Sequence, residues 1–217
     1  TIVGVLSGVL GTALIKVSAE MYAKDKDNGK LEYFLYKTLA FSFLALIISF
    51  FLGVLFSNFV SIYLNINDSV LIMLLGLFVG LSFLLIVPQA FLQGVQKFRR
   101  YSIFHVVNMV LRLVIPIVFV YAGFSIRGVW VGLSVSYVFS FLLGMLLLKV
   151  KVKNVEKKDI SSYLEKLKSL SVSIILVNFA LMFLNNIDVI MVKKYFSPTE
   201  AGYYSGTVTL GKILLFG

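Results

Sequence analysis

The chain has 217 residues, of which 59% are hydrophobic and 14% are charged, and its mean hydropathy is +0.98. Soluble domains are closer to half apolar and a quarter charged, so the composition excludes that class and predicts an integral membrane protein. With no cysteine and one histidine, His105, the chain has no means to build a disulfide framework, a thiolate nucleophile or a multi-histidine metal centre.

The first three predicted helices, residues 1–21, 34–56 and 70–96, are largely apolar and carry a few polar groups. Lys16 and Glu20 are four residues apart on the first helix, so they form either an interfacial ion pair or a pair that lines a cavity. On the third helix, Gln89 and Gln93 share one side.

Glycine pairs predict where the helices pack closely. The spacing GxxxG occurs at Gly4 and Gly8, at Gly76 and Gly80, and at Gly128 and Gly132. Small residues four apart let two membrane helices approach each other, so these glycines indicate packing and carry no chemistry of their own.

The fourth and fifth predicted helices, residues 102–121 and 127–148, contain the polar group that costs most to place in a membrane. A polar stripe at steps of four, three and four residues consists of Tyr101, His105, Asn108 and Arg112. Arg112 lies about ten residues from either helix end, which predicts a position near the middle of the bilayer. A cation there is either half of a buried ion pair or a group that lines a cavity, and we favour the cavity.

The longest polar stretch, residues 149–171, separates these helices from the last two. Within it, Ile160, Tyr163, Leu164, Leu167 and Leu170 recur at helical spacing, which predicts a short amphipathic helix lying on the membrane surface. The sixth predicted helix follows, with Asn178, Asn185 and Asp188 on one face. Ser197, Pro198 and Glu200 then form a capping box that starts a seventh helix.

Basic residues are distributed unevenly between the two sets of loops. The loops after the first, third and fifth helices carry thirteen lysines and arginines, and the opposite loops carry three. The basic loops are therefore predicted to be cytoplasmic. The net charge of +10 lies mostly between apolar runs, which favours an anionic membrane surface over nucleic acid as the partner.

The sequence contains none of the motifs that carry common enzyme chemistry. There is no GxxxxGK[ST] phosphate loop, no nucleophile elbow and no HExxH. What remains is a set of polar residues inside separate apolar helices, a pattern that many transporters share, so we predict a transporter rather than an enzyme.

Four stretches resemble one family of transporters. They are the charged end of the first helix, FLQGVQKFRRYSI (91–103), VLRLVIP (110–116) and NNIDVIMVKKYFSPTEAGYYSG (185–206). Over essentially its whole length the chain resembles the polysaccharide (O-antigen-type) flippases of the MATE-like multidrug/oligosaccharidyl-lipid/polysaccharide (MOP) superfamily.

The resemblance implies an all-α polytopic membrane protein with two six-helix lobes around a central cavity. Six transmembrane helices and a truncated seventh are then expected here, as a fragment of a longer protein. Residues 1–148 resemble helices two to six of the N-terminal lobe, residues 149–171 the cytoplasmic linker, and residues 172–217 helices seven and eight at the start of the C-terminal lobe.

The implied activity is movement of a lipid-linked oligosaccharide from the inner to the outer leaflet of the cell membrane by alternating access. A monomer is expected, with no cofactor and with Na⁺ or H⁺ as the candidate coupling ion. Cations suit phosphate and amides suit hydroxyls, so the candidate substrate-binding residues are Arg112, Asn108, Gln89, Gln93, Lys212 and Lys16. The candidate ion-coupling residues are Asp188, Asn185 and Asn178, unless Asp188 only pairs with Lys193 or Lys194.

Three other functions remain open. A MATE-type cation-coupled exporter of small organic molecules is the main alternative, although cations at the positions of Arg112 and Lys212 argue against a cavity for organic cations. A membrane enzyme of glycan assembly would need a large outer loop, and a small substrate-binding subunit would have to be complete at this length.

Overall fold

A computed structural model describes residues 2–24, 28–63, 68–149 and 159–216. Within these ranges the chain is helical and contains no strand, which confirms the predicted all-α class. The helices are α1 (Ile2–Lys24), α2 (Asn28–Leu55), α3 (Ser57–Tyr63), α4 (Ser69–Gly94), α5 (Phe98–Phe119), α6 (Ser125–Leu148), α7 (Ser161–Tyr195) and α8 (Pro198–Phe216), with a π-helical turn at Val120–Phe124 between α5 and α6.

Three helical stretches in the described residues are long and apolar enough to cross a membrane. They are Gly29–Leu55, Ser69–Gly94 and Phe98–Leu148. The third is not one straight helix, because Gly123 in the π-helical turn adopts a φ of 94° that reverses the chain. The stretches confirm the predicted membrane protein, and the total number of crossings stays a prediction.

Helix α4 is the centre of the bundle, since α1, α2, α5 and α6 all pack against it. More than half of its residues are buried, and they include Leu84, Val87, Phe91 and Leu92. Helix α2, in contrast, leaves Phe41, Phe51 and other large apolar side chains exposed. In a membrane protein such side chains face lipid, so α2 lies at the edge of the bundle.

Helices α2 and α4 run antiparallel and touch through glycine. A Cβ atom built on Gly76 would lie 2.8 Å from the Cα atom of Gly53, and Ser49 Oγ donates a 2.8 Å hydrogen bond to the carbonyl of Gly76. The close packing predicted from the GxxxG spacing of Gly76 and Gly80 is therefore confirmed.

Helices α5 and α6 form a second antiparallel pair. Gly132 packs directly on Pro116, where an added Cβ atom would lie 2.6 Å from the proline Cα atom. At the far end of the pair, Arg100 donates a 3.0 Å hydrogen bond to the carbonyl of Leu147. The fourth and fifth predicted helices thus form a hairpin that is in contact along its full length.

Helix α7 differs from the sequence-based expectation. A surface helix followed by a separate membrane helix was predicted, but Ser161–Tyr195 is one continuous helix of 35 residues. Its first turns pack Tyr163, Leu164 and Leu167 against the bundle core, which includes the buried Ile160. The stretch contains neither proline nor glycine, so nothing interrupts the helix. Protein partly covers the apolar face of its first turns, whereas Leu176, Phe179 and Leu184 further along are exposed.

Residues 150–158 of the predicted linker and residues 25–27 and 64–67 of two predicted loops lie outside the described residues. The first loop, predicted over residues 22–32, is shorter than expected because α1 continues to Lys24 and α2 begins at Asn28. The second, predicted over residues 57–68, contains the short helix α3.

The bundle has a basic end, formed by the ends of α1, α4 and α6 and the start of α7. There Glu20 pairs with Lys24 at 2.9 Å and with Lys166 of α7, and not with Lys16 as the first helix suggested. At the opposite end, Asp68 and Arg127 form an ion pair at 2.6 Å. The guanidinium of Arg127 holds the pKa of the Asp68 carboxyl below its usual value. The described basic residues Lys24, Lys97, Arg100 and Lys166 thus lie at the basic end, and the alternation of the crossings stays a prediction.

Candidate substrate and ion sites

The polar stripe on α5 faces α6. Asn108 is buried, and its Oδ1 atom accepts a 3.0 Å hydrogen bond from the hydroxyl of Ser140, which is also buried. Tyr101 and His105 stack on each other with ring centroids 5.7 Å apart. Asn108 therefore connects α5 to α6 through its amide oxygen.

Arg112 lies on an aromatic support. Its guanidinium is 5.3 Å from the ring centroid of Tyr137 on α6, and that ring stacks on Phe78 of α4 with centroids 4.8 Å apart. A cation over an aromatic face is attracted by the ring quadrupole, so Tyr137 fixes the position of the arginine without neutralising it.

The rest of the Arg112 side chain is exposed. The buried ion pair considered from sequence is not formed with any described residue. Helix α5 begins at Phe98 and ends at Phe119, so Arg112 is roughly 10 Å from the end opposite to the basic end and about 21 Å from the basic end itself. It is displaced from the helix centre but lies well inside the apolar stretch.

Gln89 borders a cavity of about 350 Å³ between α1 and α4. The opposite wall is the small-residue face of α1, with Gly8, Gly11 and Thr12. No described atom lies within 4 Å of the Cβ position of Gly8, so the close packing predicted for it is not formed with the described residues. The small residues of α1 instead leave room for a ligand beside the Gln89 amide.

Asp188 connects α7 to α8. Its Oδ2 atom accepts a 2.9 Å hydrogen bond from the hydroxyl of Tyr204, and its Oδ1 atom is buried with no hydrogen-bond partner in the described part of the chain. Nearby, Lys212 donates a 3.1 Å hydrogen bond to Asn186 across the same helix pair. The alternative in which Asp188 pairs with Lys193 or Lys194 is not observed, since Lys194 lies over the rings of Tyr63 and Tyr195.

The start of α8 follows the predicted capping box. The backbone N–H and the hydroxyl of Ser197 donate to a carboxylate oxygen of Glu200 at 3.0 and 2.7 Å. The backbone N–H of Glu200 in turn donates to the Ser197 hydroxyl. This reciprocal cap sets the tight turn that brings Tyr204 back beside Asp188.

The remaining candidates are not drawn together. Lys16 is exposed on α1, and Gln93 is half-buried one turn beyond Gln89. The side chains of Asn178 and Asn185 lie outside the described residues. The candidates thus fall into three clusters, namely Arg112 with Asn108 between α5 and α6, Gln89 between α1 and α4, and Asp188 with Lys212 between α7 and α8.

Four residues that contact the candidate site residues were not identified from the sequence, namely Tyr137, Ser140, Tyr204 and Asn186. Two of them could have been found by folding each predicted hairpin about its turn. The turn near Gly123 brings Tyr137 opposite Arg112, and the turn at Phe196 brings Tyr204 opposite Asp188. Periodicity along one helix carries no information about its neighbour, so it could not show these contacts.

The fold and the clusters define an all-helical membrane protein with polar groups placed inside apolar helices. The family model described as polysaccharide biosynthesis protein matches residues 5–215. The chain belongs to this family, which confirms the resemblance to the polysaccharide flippase type seen in the sequence. The comparisons found no matching curated protein and no matching solved structure.

Proposed function

We propose that the chain forms part of a flippase that moves a lipid-linked oligosaccharide from the inner to the outer leaflet of the cell membrane by alternating access. Membership of a polysaccharide biosynthesis family supports a glycan-related substrate. The apolar helices place the protein in a membrane. A glycan precursor carried on a lipid is the substrate that joins these two properties.

The observation that carries the proposal is the exposed guanidinium of Arg112 inside an apolar hairpin. A charge inside the hydrocarbon costs about 3 kcal/mol on insertion scales, so it is retained only where water, a partner or a ligand compensates it. Tyr137 positions the cation from one side and leaves the guanidinium donors available. Phosphate oxygens of a sugar-lipid headgroup carry the opposite charge and accept hydrogen bonds from those donors.

The other clusters extend the same proposal. The Gln89 amide suits sugar hydroxyls, and the Asp188 carboxylate suits Na⁺ or a proton as the coupling ion. Residues 1–148 and residues 172–217 belong to two lobes in this scheme, with six transmembrane helices followed by a truncated seventh. The central cavity between the lobes then opens alternately to the two membrane faces.

The test is a flipping assay on the natural full-length protein in liposomes, with Arg112→Lys, Arg112→Gln and Arg112→Ala. Charge should matter most, so Arg112→Lys keeps substantial flipping. The glutamine and alanine variants should lose roughly tenfold to a hundredfold, the range expected when one to two charge-assisted hydrogen bonds are removed. Protein abundance in the membrane is measured in parallel.

Arg99→Gln is the matched control, because Arg99 is an exposed arginine on the same helix and lies outside its apolar part. Its flipping should equal that of the unmodified protein. If Arg112→Lys fails as badly as Arg112→Ala, the two-pronged guanidinium is needed to hold helices together, and Arg112 does not bind the substrate. Flipping that survives in all three Arg112 variants would remove Arg112 from the substrate site. An unmodified protein that flips no lipid-linked oligosaccharide would favour the exporter of small organic molecules.

A further inference from the structure

We propose that the face formed by α1, α2, α4 and α7 is a binding site for one anionic phospholipid of the cytoplasmic leaflet. The lipid phosphate lies between Lys37 and Lys168, and one acyl chain follows the surface of α2. Nothing in this inference depends on flipping, because it concerns a lipid that stays bound at the edge of the bundle.

The site is a lateral cavity of about 760 Å³. This volume is within the range of about 300–1,000 Å³ that is usual for ligand pockets. Its walls are almost entirely apolar and include Leu14 from α1, Leu44 from α2, Phe83 from α4 and Leu167 from α7. Leu44 is half exposed and Phe41 more so, which shows that the cavity opens sideways, where lipid would be.

A second cavity, of about 360 Å³, continues the first along α2 and α4. The two share Phe41, Leu44 and Phe83, and the second reaches Leu52. From Lys37 to Leu52 along α2 is about 22 Å at 1.5 Å per residue. Half of a bilayer with its headgroups is about 20–22 Å thick, so the groove is as long as one lipid of one leaflet.

The charges that line the groove have one sign and lie at one end. Lys37 and Lys168 are the charged side chains among its described lining residues, and both are exposed in the first halves of α2 and α7. Lys37 lies 5.6 Å from the ring centroid of Tyr33, which holds it near the mouth. Two lysines above an apolar groove complement a phosphate above an acyl chain.

A buried hydroxyl supplies a third polar contact. Ser171 lines the cavity one turn beyond Lys168 and is 8% exposed. Its hydroxyl has no hydrogen-bond partner among the described residues. A buried hydroxyl without a partner is costly, and an ester or phosphate oxygen of a lipid in this groove would accept its hydrogen bond.

The test measures lipid retention on the purified full-length protein by native mass spectrometry, with phosphatidylglycerol, phosphatidylcholine and inorganic phosphate as the three probes. Phosphatidylglycerol should be retained in preference to phosphatidylcholine, and phosphate alone should not be retained. Each lysine near a surface contributes roughly fivefold, so Lys37→Gln with Lys168→Gln should weaken phosphatidylglycerol retention about 25-fold.

Two further variants separate the groove from general surface charge. Ala45→Phe places a ring in the path of the acyl chain and should abolish retention with both lysines present, and Leu44→Trp serves the same purpose if the first variant does not fold. Lys149→Gln with Arg99→Gln removes two exposed cations from the same end, away from the groove, and should retain the lipid normally.

The proposal is overturned by equal retention of the two phospholipids, or by a control pair that loses as much as the lysine pair. Retention that survives both groove-filling variants would place the lipid elsewhere. Retention of inorganic phosphate alone would reduce the site to an anion site. If no phospholipid is retained by the unmodified protein, the groove is covered by protein and the proposal fails.

Discussion

The two carboxylate oxygens of Asp188 have different surroundings. One carboxylate oxygen is taken by the Tyr204 hydroxyl, and the other is buried without a partner in the described structure. A buried oxygen of this kind needs a cation, a proton or water to offset its desolvation. The surface ion pair with Lys193 or Lys194 considered from sequence is not formed in the described structure, and the ion site stays a prediction for Asp188.

If Asp188 holds the coupling ion, Asp188→Asn should change the dependence of transport on Na⁺ or pH while leaving protein abundance nearly unchanged. Tyr204→Phe keeps the carboxylate but removes its donor, so it should shift the ion affinity without abolishing coupling. Transport in liposomes across a range of Na⁺ and proton gradients measures both. Lys193→Gln is the control, and an Asp188→Asn variant with unaltered ion dependence would leave the carboxylate as a contact between α7 and α8.

At the scale of helices, the sequence predicted most of the fold. The helix-forming stretches, the capping box at Ser197 and the close packing at Gly76 follow from local rules of spacing and composition. The union of two predicted helices into α7 does not follow, because the apolar face of Tyr163 and Leu167 fits a membrane surface as well as a protein core. Only the partner helices decide between the two.

The contact between α2 and α4 gives a direct test of this packing. Gly76→Ala adds a Cβ atom 2.8 Å from the backbone of Gly53, so the helices must separate. Overpacking of this kind typically costs about 1–3 kcal/mol. Thermal unfolding in detergent should show a clearly lower melting temperature.

Gly206→Ala is the matched control, since Gly206 has open space around its Cβ position on α8. Its melting temperature should be unchanged or slightly higher, because alanine is the better helix former. A Gly76→Ala protein as stable as the control would mean that α2 and α4 do not approach as closely as the structure has them.

At the scale of the whole molecule, the orientation in the membrane is open to a simple measurement. These 217 residues contain no cysteine, so a cysteine introduced among them is the one thiol in this part of the protein. Asn58→Cys on α3 and Lys149→Cys after α6 are exposed at opposite ends of the bundle. An impermeant reagent added to intact cells should label Asn58→Cys alone, and Lys149→Cys should react only after lysis.

The reverse labelling pattern would invert the protein and move the Lys37 and Lys168 groove to the outer leaflet. Labelling of both positions in intact cells would contradict an odd number of crossings between them. The distribution of basic residues made the orientation predictable, but it could not show which charges lie beside which helices.

The continuous α7 also has a mechanical consequence. At 1.5 Å per residue its 35 residues make a rod about 52 Å long, longer than a bilayer of about 40–45 Å. Its basic end is fastened to α1 through Lys166 and Glu20, and its other end carries Tyr195 into the turn before α8. A rotation of a helix of that length by about 10° at the fastened end would move its far end by roughly 9 Å, so a small change beside α1 would become a large displacement at the turn before α8.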